Sequence, residues 1–218
     1  MLMKGLRNRI GREEFDYQAL LDALSGYASP RDCITRLLRA GTIIRIKKGL
    51  YIFGEQERRE PYSRELLANL IYGPSFISLE SALSFHGLIP ERVESMLSVT
   101  TGRSREFDTP IGRFVYCSAR MDSFSLGVDR INGGRTPFLM ASPERALADK
   151  IRNDRRGPLS GLSVMREYLF EDLRLDESGF LAMDPGLMER LAEAMGSKKV
   201  GLCTKLLLQM KGVYECND

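Results

Sequence analysis

The chain has 218 residues, 43% of them apolar and 28% charged, with a formal net charge of +3, the make-up of an ordinary globular protein able to bury a core. No apolar run approaches the roughly 20 residues that span a bilayer, and the first ten residues lack the apolar stretch and cleavage site of a secretory leader, so a cytoplasmic protein without membrane partners is expected. The charge is unevenly spread: residues 1–54 carry ten Lys/Arg against five Asp/Glu, and the remainder 22 against 24, which suits a basic nucleic-acid-binding head on a mildly acidic body and equally a solvated basic face.

Lys4, Arg7, Arg9 and Arg12 belong either to a short first helix or to a basic arm. Phe15, Ala19, Leu20 and Leu24 fall near helical spacing, with Glu13, Glu14 and Asp16 favouring the helix N-terminus electrostatically, and Gly26 stops that helix. Ser29 is a natural N-cap, Pro30 sits at the first helical position and Gly41 follows the last turn. Between them Ile34, Leu37 and Leu38 form an apolar face. Thr42-Ile-Ile-Arg-Ile and Leu50-Tyr-Ile-Phe then read as two strands around the turn Lys47-Lys48-Gly49.

A helix delivered into a basic hairpin is the layout of a winged helix-turn-helix. The predicted head covers residues 1–57. Its helix would bring Arg31, Thr35 and Arg36 toward base edges in a major groove, with Arg39 also counted among the DNA-binding residues. Arg45, Lys47 and Lys48 in the wing would neutralise phosphates, which adds affinity but little sequence reading.

Glu55-Gln-Glu-Arg-Arg-Glu-Pro61 is charged, lacks apolar residues and is the expected linker. Residues 58–218 form the second unit. Helices are predicted over Tyr62–Tyr72 and Leu79–His86, and strands over 96–101, 113–117 and 136–141. Further helices are expected over 142–153, 158–171, 185–195 and 198–211, with a turn at Gly133-Gly134. Strands followed by helices without βαβ alternation argue an α+β class.

Catalytic signals are sparse. No glycine-rich phosphate loop is present. The lone His86 sits at a helix end, where it can bond free carbonyls, and no neighbouring set completes a triad. Glu144, Asp149 and Lys150 resemble fragments of a nuclease metal site. However, Glu144 and Asp149 lie five residues apart on one helix, about 140° around its axis, and would not converge on one ion. Arg152, Arg155 and Arg156 follow as a basic helix end. Cys33, Cys117, Cys203 and Cys216 are widely spaced and predicted to be reduced thiols, so neither metal nor cofactor is expected. A metal-dependent nuclease or nucleotide-processing enzyme would need Glu144, Asp149 or the acids of 106–108 gathered in one cleft. A third possibility is a body that serves only to grip a protein partner.

Several segments together resemble the AbiEi-type antitoxins of bacterial toxin–antitoxin systems. They are Gly41-Thr-Ile-Ile-Arg-Ile-Lys-Lys-Gly-Leu-Tyr, Ile77-Ser-Leu-Glu-Ser-Ala-Leu-Ser-Phe-His-Gly-Leu, Val99-Thr-Thr-Gly, Thr109-Pro-Ile-Gly-Arg-Phe and Ala141-Ser-Pro-Glu-Arg-Ala-Leu-Ala-Asp-Lys. The resemblance spans residues 13 to 153. It implies a winged helix that binds repeats upstream of its own operon, with Arg31, Thr35, Arg36, Arg45, Lys47 and Lys48 facing the operator. It further implies a C-terminal domain that counters a nucleotidyltransferase-like toxin, and no enzymatic activity.

Overall fold

The computed structural model describes residues 2–132, 136–155 and 159–212, the first three of these by their backbone. The Gly133-Gly134 turn, Arg156, Cys216 and the first residue of the helix expected from 158 lie outside the described residues. The fold is mixed α+β.

The N-terminal part runs α1 (Leu2–Ile10), β1 (Glu14–Asp16), α2 (Tyr17–Ala23), α3 (Pro30–Arg39), β2 (Ile43–Lys47) and β3 (Leu50–Phe53). The segment left open between helix and arm is therefore helical, with Leu6 and Arg7 turned inward. One expectation is corrected. The helix placed from about Phe15 begins at Tyr17, because Phe15 lies in a strand opposite Tyr51 and its ring packs 4.7 Å from that of Phe53. An aromatic cross-strand cluster outweighs one more turn of helix there. Asp16 becomes the N-cap, its carboxylate accepting from Ala19 N at 2.8 Å.

The three strands form one antiparallel sheet in the order β1-β3-β2. Strand alternation sends their side chains to two different cores. Phe15, Ile43, Tyr51 and Phe53 pack with Leu6, Leu20, Leu24, Ile34 and Leu37 of the three helices. Ile46, Leu50 and Ile52 point the other way and join the core of the rest of the chain. Gly54 ends the sheet where the chain crosses itself: a Cβ there would lie 1.9 Å from the Gly41 carbonyl oxygen.

The linker expected at 55–61 is tied down. The buried Glu13 carboxylate accepts from the backbone of Arg59 (3.2 Å) and Glu60 (3.1 Å) and pairs with Arg7. Glu14 accepts from Ser63 N, and Lys47 Nζ donates to the Ile71 carbonyl. A polar seam thus runs beside the shared apolar face, and what we call the head (residues 2–54) is docked on the body that follows.

The body contains α4 (Arg64–Ile71), β4 (Ser75–Ile77), α5 (Leu79–Phe85), β5 (Met96–Thr100), β6 (Arg105–Thr109), β7 (Gly112–Ser118), β8 (Val128–Ile131), β9 (Phe138–Ala141), α6 (Pro143–Asn153), α7 (Leu162–Glu167), α8 (Glu177–Ala182), α9 (Pro185–Met195) and α10 (Lys198–Met210). Its sheet has six strands in the order β6-β7-β5-β4-β9-β8, parallel at β7/β5 and β4/β9 and antiparallel elsewhere. The helix predicted over 158–171 is α7 followed by a π-helical turn, Tyr168–Asp172. Three strands not anticipated, β4, β6 and β8, are three to five residues long, and β6 and β8 are polar edges.

Candidate nucleic-acid interface

Helix α3 is strongly two-sided. Cys33, Ile34 and Leu37 are buried, while Arg31, Thr35, Arg36 and Arg39 are exposed. At 100° per residue those four exposed side chains fall within an arc of about 140°. Asp32 shares that arc, and its carboxylate accepts from Ser29 Oγ at 2.5 Å. Ser29 therefore occupies the N-cap position without capping: its hydroxyl serves Asp32 and not a first-turn amide. Thr35 Oγ1 donates back to the Arg31 carbonyl at 3.1 Å, a bond it must exchange to contact any ligand. Among the described residues Arg31, Arg36 and Arg39 have no ion-pair partner.

The hairpin divides its three cations. Arg45 is exposed on the face of the sheet that carries Ile43 and Tyr51, the same face on which α3 packs. Burial pushes the Tyr51 phenol above its ordinary value, and Arg45 beside it pulls the other way. The pairing is irregular between Arg45 and Lys47, and beyond that point Lys47 is half-buried, its ammonium bonded to the Ile71 carbonyl of the body. Lys48 is exposed in the turn, which Gly49 closes with φ +88°, a left-handed conformation that favours glycine. Of the seven residues singled out from the sequence, six are exposed and Lys47 is engaged in the seam.

The side chains considered for catalysis have other partners. Glu144 accepts from Ser142 Oγ (2.8 Å) and from Asp184 N (3.0 Å). Lys150 pairs with Glu80 at 2.6 Å. Glu106 and Asp108 lie on the exposed strand β6 beside Arg113. His86 Nε2 lies 2.9 Å from the Ala141 carbonyl, so the ring ties the end of α5 to β9 instead of serving its own helix. Among the described residues no three His, Cys, Asp or Glu side chains gather as metal ligands would. Cys33 and Cys203 are buried, Cys117 is half-buried, and all three are free.

One polar cluster was missed from the sequence. Arg145 and Asp149 are fully buried on α6, paired at 2.9 Å. Ser78 Oγ donates to Asp149 at 2.7 Å, and Arg145 donates to the carbonyls of Ser123 and Leu126. The guanidinium also lies 4.9 Å from the Phe76 ring centre. Burial pushes the Asp149 carboxyl upward, opposed by Arg145 and the Ser78 bond. The network holds α6 to the loops at β4 and β8, a structural task. An Arg/Asp pair four residues apart inside Arg-Ala-Leu-Ala-Asp was the available signal.

No family model matches the chain, and no curated protein matches it. Among solved structures the chain is similar to the crystal structure of the RV2827C protein from Mycobacterium tuberculosis, at 17% identity and a TM-score of 0.50, covering 95% of this chain and 80% of that one. A likeness of this degree concerns the fold alone. Among the described residues no helix is long and apolar enough to cross a membrane.

Proposed function

We propose that the protein is a DNA-binding autoregulator and antitoxin. Its head is a winged helix-turn-helix that recognises double-stranded DNA upstream of its own gene, and its body engages a nucleotidyltransferase-like toxin in the cytoplasm. The carrying observation is the exposed arc of α3, where Arg31, Arg36 and Arg39 stand without ion-pair partners among the described residues while the opposite side is anchored in the core. The order α1-β1-α2-α3-β2-β3 with sheet order β1-β3-β2 supports the winged-helix reading. The antitoxin role rests on the resemblance described above.

In this reading Arg36 and Arg31 contact base edges, and Arg39, Arg45 and Lys48 meet phosphates. Lys47 is assigned to the head–body seam. Full-length protein on its upstream DNA provides the test. Arg36→Ala should cost about 1–3 kcal/mol and relax base preference, whereas Lys48→Ala should weaken every sequence alike and lower the salt slope by about one. Equal losses on all sequences for both variants would refute the division of roles. Co-purification with the product of the adjacent gene tests the antitoxin half, and a body that captures no such partner would refute it.

A further inference from the structure

Arg9 lies in the last turn of α1, and its guanidinium donates to the Ala23 carbonyl at 3.2 Å. That bond, bridging 14 residues of sequence, seats an exposed cation beside the end of α2, where the turn into α3 begins. It occupies one of the guanidinium's five donors. The turn Ser25–Ser29 is exposed throughout, and all its side chains are small except Tyr27, which is 42% exposed. Tyr27 N donates to the Leu24 carbonyl at 3.0 Å, which fixes the backbone. Its phenol has no hydrogen-bond partner among the described residues, and Arg9 has no carboxylate partner there. The acids nearest in sequence are engaged locally: Asp22 accepts from Gln18 Nε2 at 2.8 Å, and Asp32 from Ser29 Oγ.

An exposed cation at the start of this small-residue turn and an exposed phenol within it make a surface that an anion can approach closely. The geometry points to a phosphate-binding patch formed by Arg9 and Tyr27, taking the sugar–phosphate backbone of duplex DNA beside α3. The inference rests on the DNA-binding reading and extends its footprint to α1 and the α2–α3 turn. Arg9 supplies charge, and the Tyr27 hydroxyl donates to a phosphate oxygen. Neither reaches a base edge, so the patch adds affinity and fixes the register of α3 without adding sequence preference.

The experiment uses the full chain with the upstream duplex and a scrambled duplex of equal length, titrated from about 50 to 200 mM salt. Arg9→Gln should lower the slope of log K against log salt by about one on both duplexes, and Arg9→Lys should restore it. Tyr27→Phe should weaken both duplexes by roughly two- to tenfold with selectivity unchanged. Thermal unfolding of Arg9→Gln controls for loss of the Ala23 bond. Unchanged slope and affinity in Arg9→Gln and Tyr27→Phe, with selectivity still lost in Arg36→Ala, would overturn the patch and leave the DNA reading standing. Wild-type protein that binds neither duplex would overturn both.

Discussion

Arg145 in the body and Arg36 in the head are both arginines on two-sided helices, yet one is fully buried and the other faces solvent. Arg145 gives Nε to Asp149 and Nη1 to two carbonyls and lies against Phe76, while its buried Nη2 has no hydrogen-bond partner. Arg36 gives no donor to an acid of the chain among the described residues. A buried cation needs an opposite charge inside the fold because its desolvation is otherwise uncompensated, and Asp149 supplies it. An exposed one loses nothing by waiting for a partner. The body's buried charge is therefore architecture, and the head's exposed charge is capacity for binding. The seam lies between these cases: Glu13 and Lys47 are charged groups that hold one part of the chain to the other.

That contrast can be broken most forcefully at α6. Asp149→Ala strands a buried guanidinium and should destabilise the protein by about 3–5 kcal/mol, read by urea unfolding. Pairing it with Arg145→Met should recover much of the loss, whereas a neutral single variant would show that the network does not hold α6 in place. At the seam, Glu13→Ala leaves the nearly buried Arg7 without its acid and frees two linker amides, at about 2–4 kcal/mol. Hydrogen exchange at Arg59 and Glu60 should rise well before the core of either part opens, and protection that stays intact would place the docking elsewhere. The smallest effect compares neighbours. Lys47→Ala should cost about 1 kcal/mol of stability through the lost Ile71 bond with little change in the salt slope of DNA binding, and Lys48→Ala the reverse. Identical salt slopes for the two would show that both amines reach DNA.

Much of the head was legible because its boundaries are marked by residues with fixed backbone habits. Pro30 and Gly41 bracket α3, and Lys48-Gly49 sits between two β-branched and aromatic runs. In the body, Ser142-Pro-Glu announced α6, and Ser142 Oγ does accept from Arg145 N at 3.3 Å. What escaped depends on distant partners. Glu-Phe-Asp at 14–16 carries a helix N-terminal pattern and becomes a strand only because β3 lies beside it. Strands β6 and β8 are polar edges whose only structural signal is the neighbour they pair with. Lys47 and Lys48 are identical in type and adjacent in sequence, and an irregularity in β2 sends one into the seam and leaves the other in solvent. Periodicity carries no information about such a bend.

Selectivity is the sharpest test of whether the exposed arginines of α3 read DNA. Full-length protein is titrated onto the duplex upstream of its own gene and onto a scrambled duplex of equal length and composition, in the same salt. Binding should be at least about a thousandfold tighter to the upstream duplex, with most of that ratio lost in Arg36→Ala. Equal affinity for the two duplexes, unchanged by Arg36→Ala, would contradict base reading by α3.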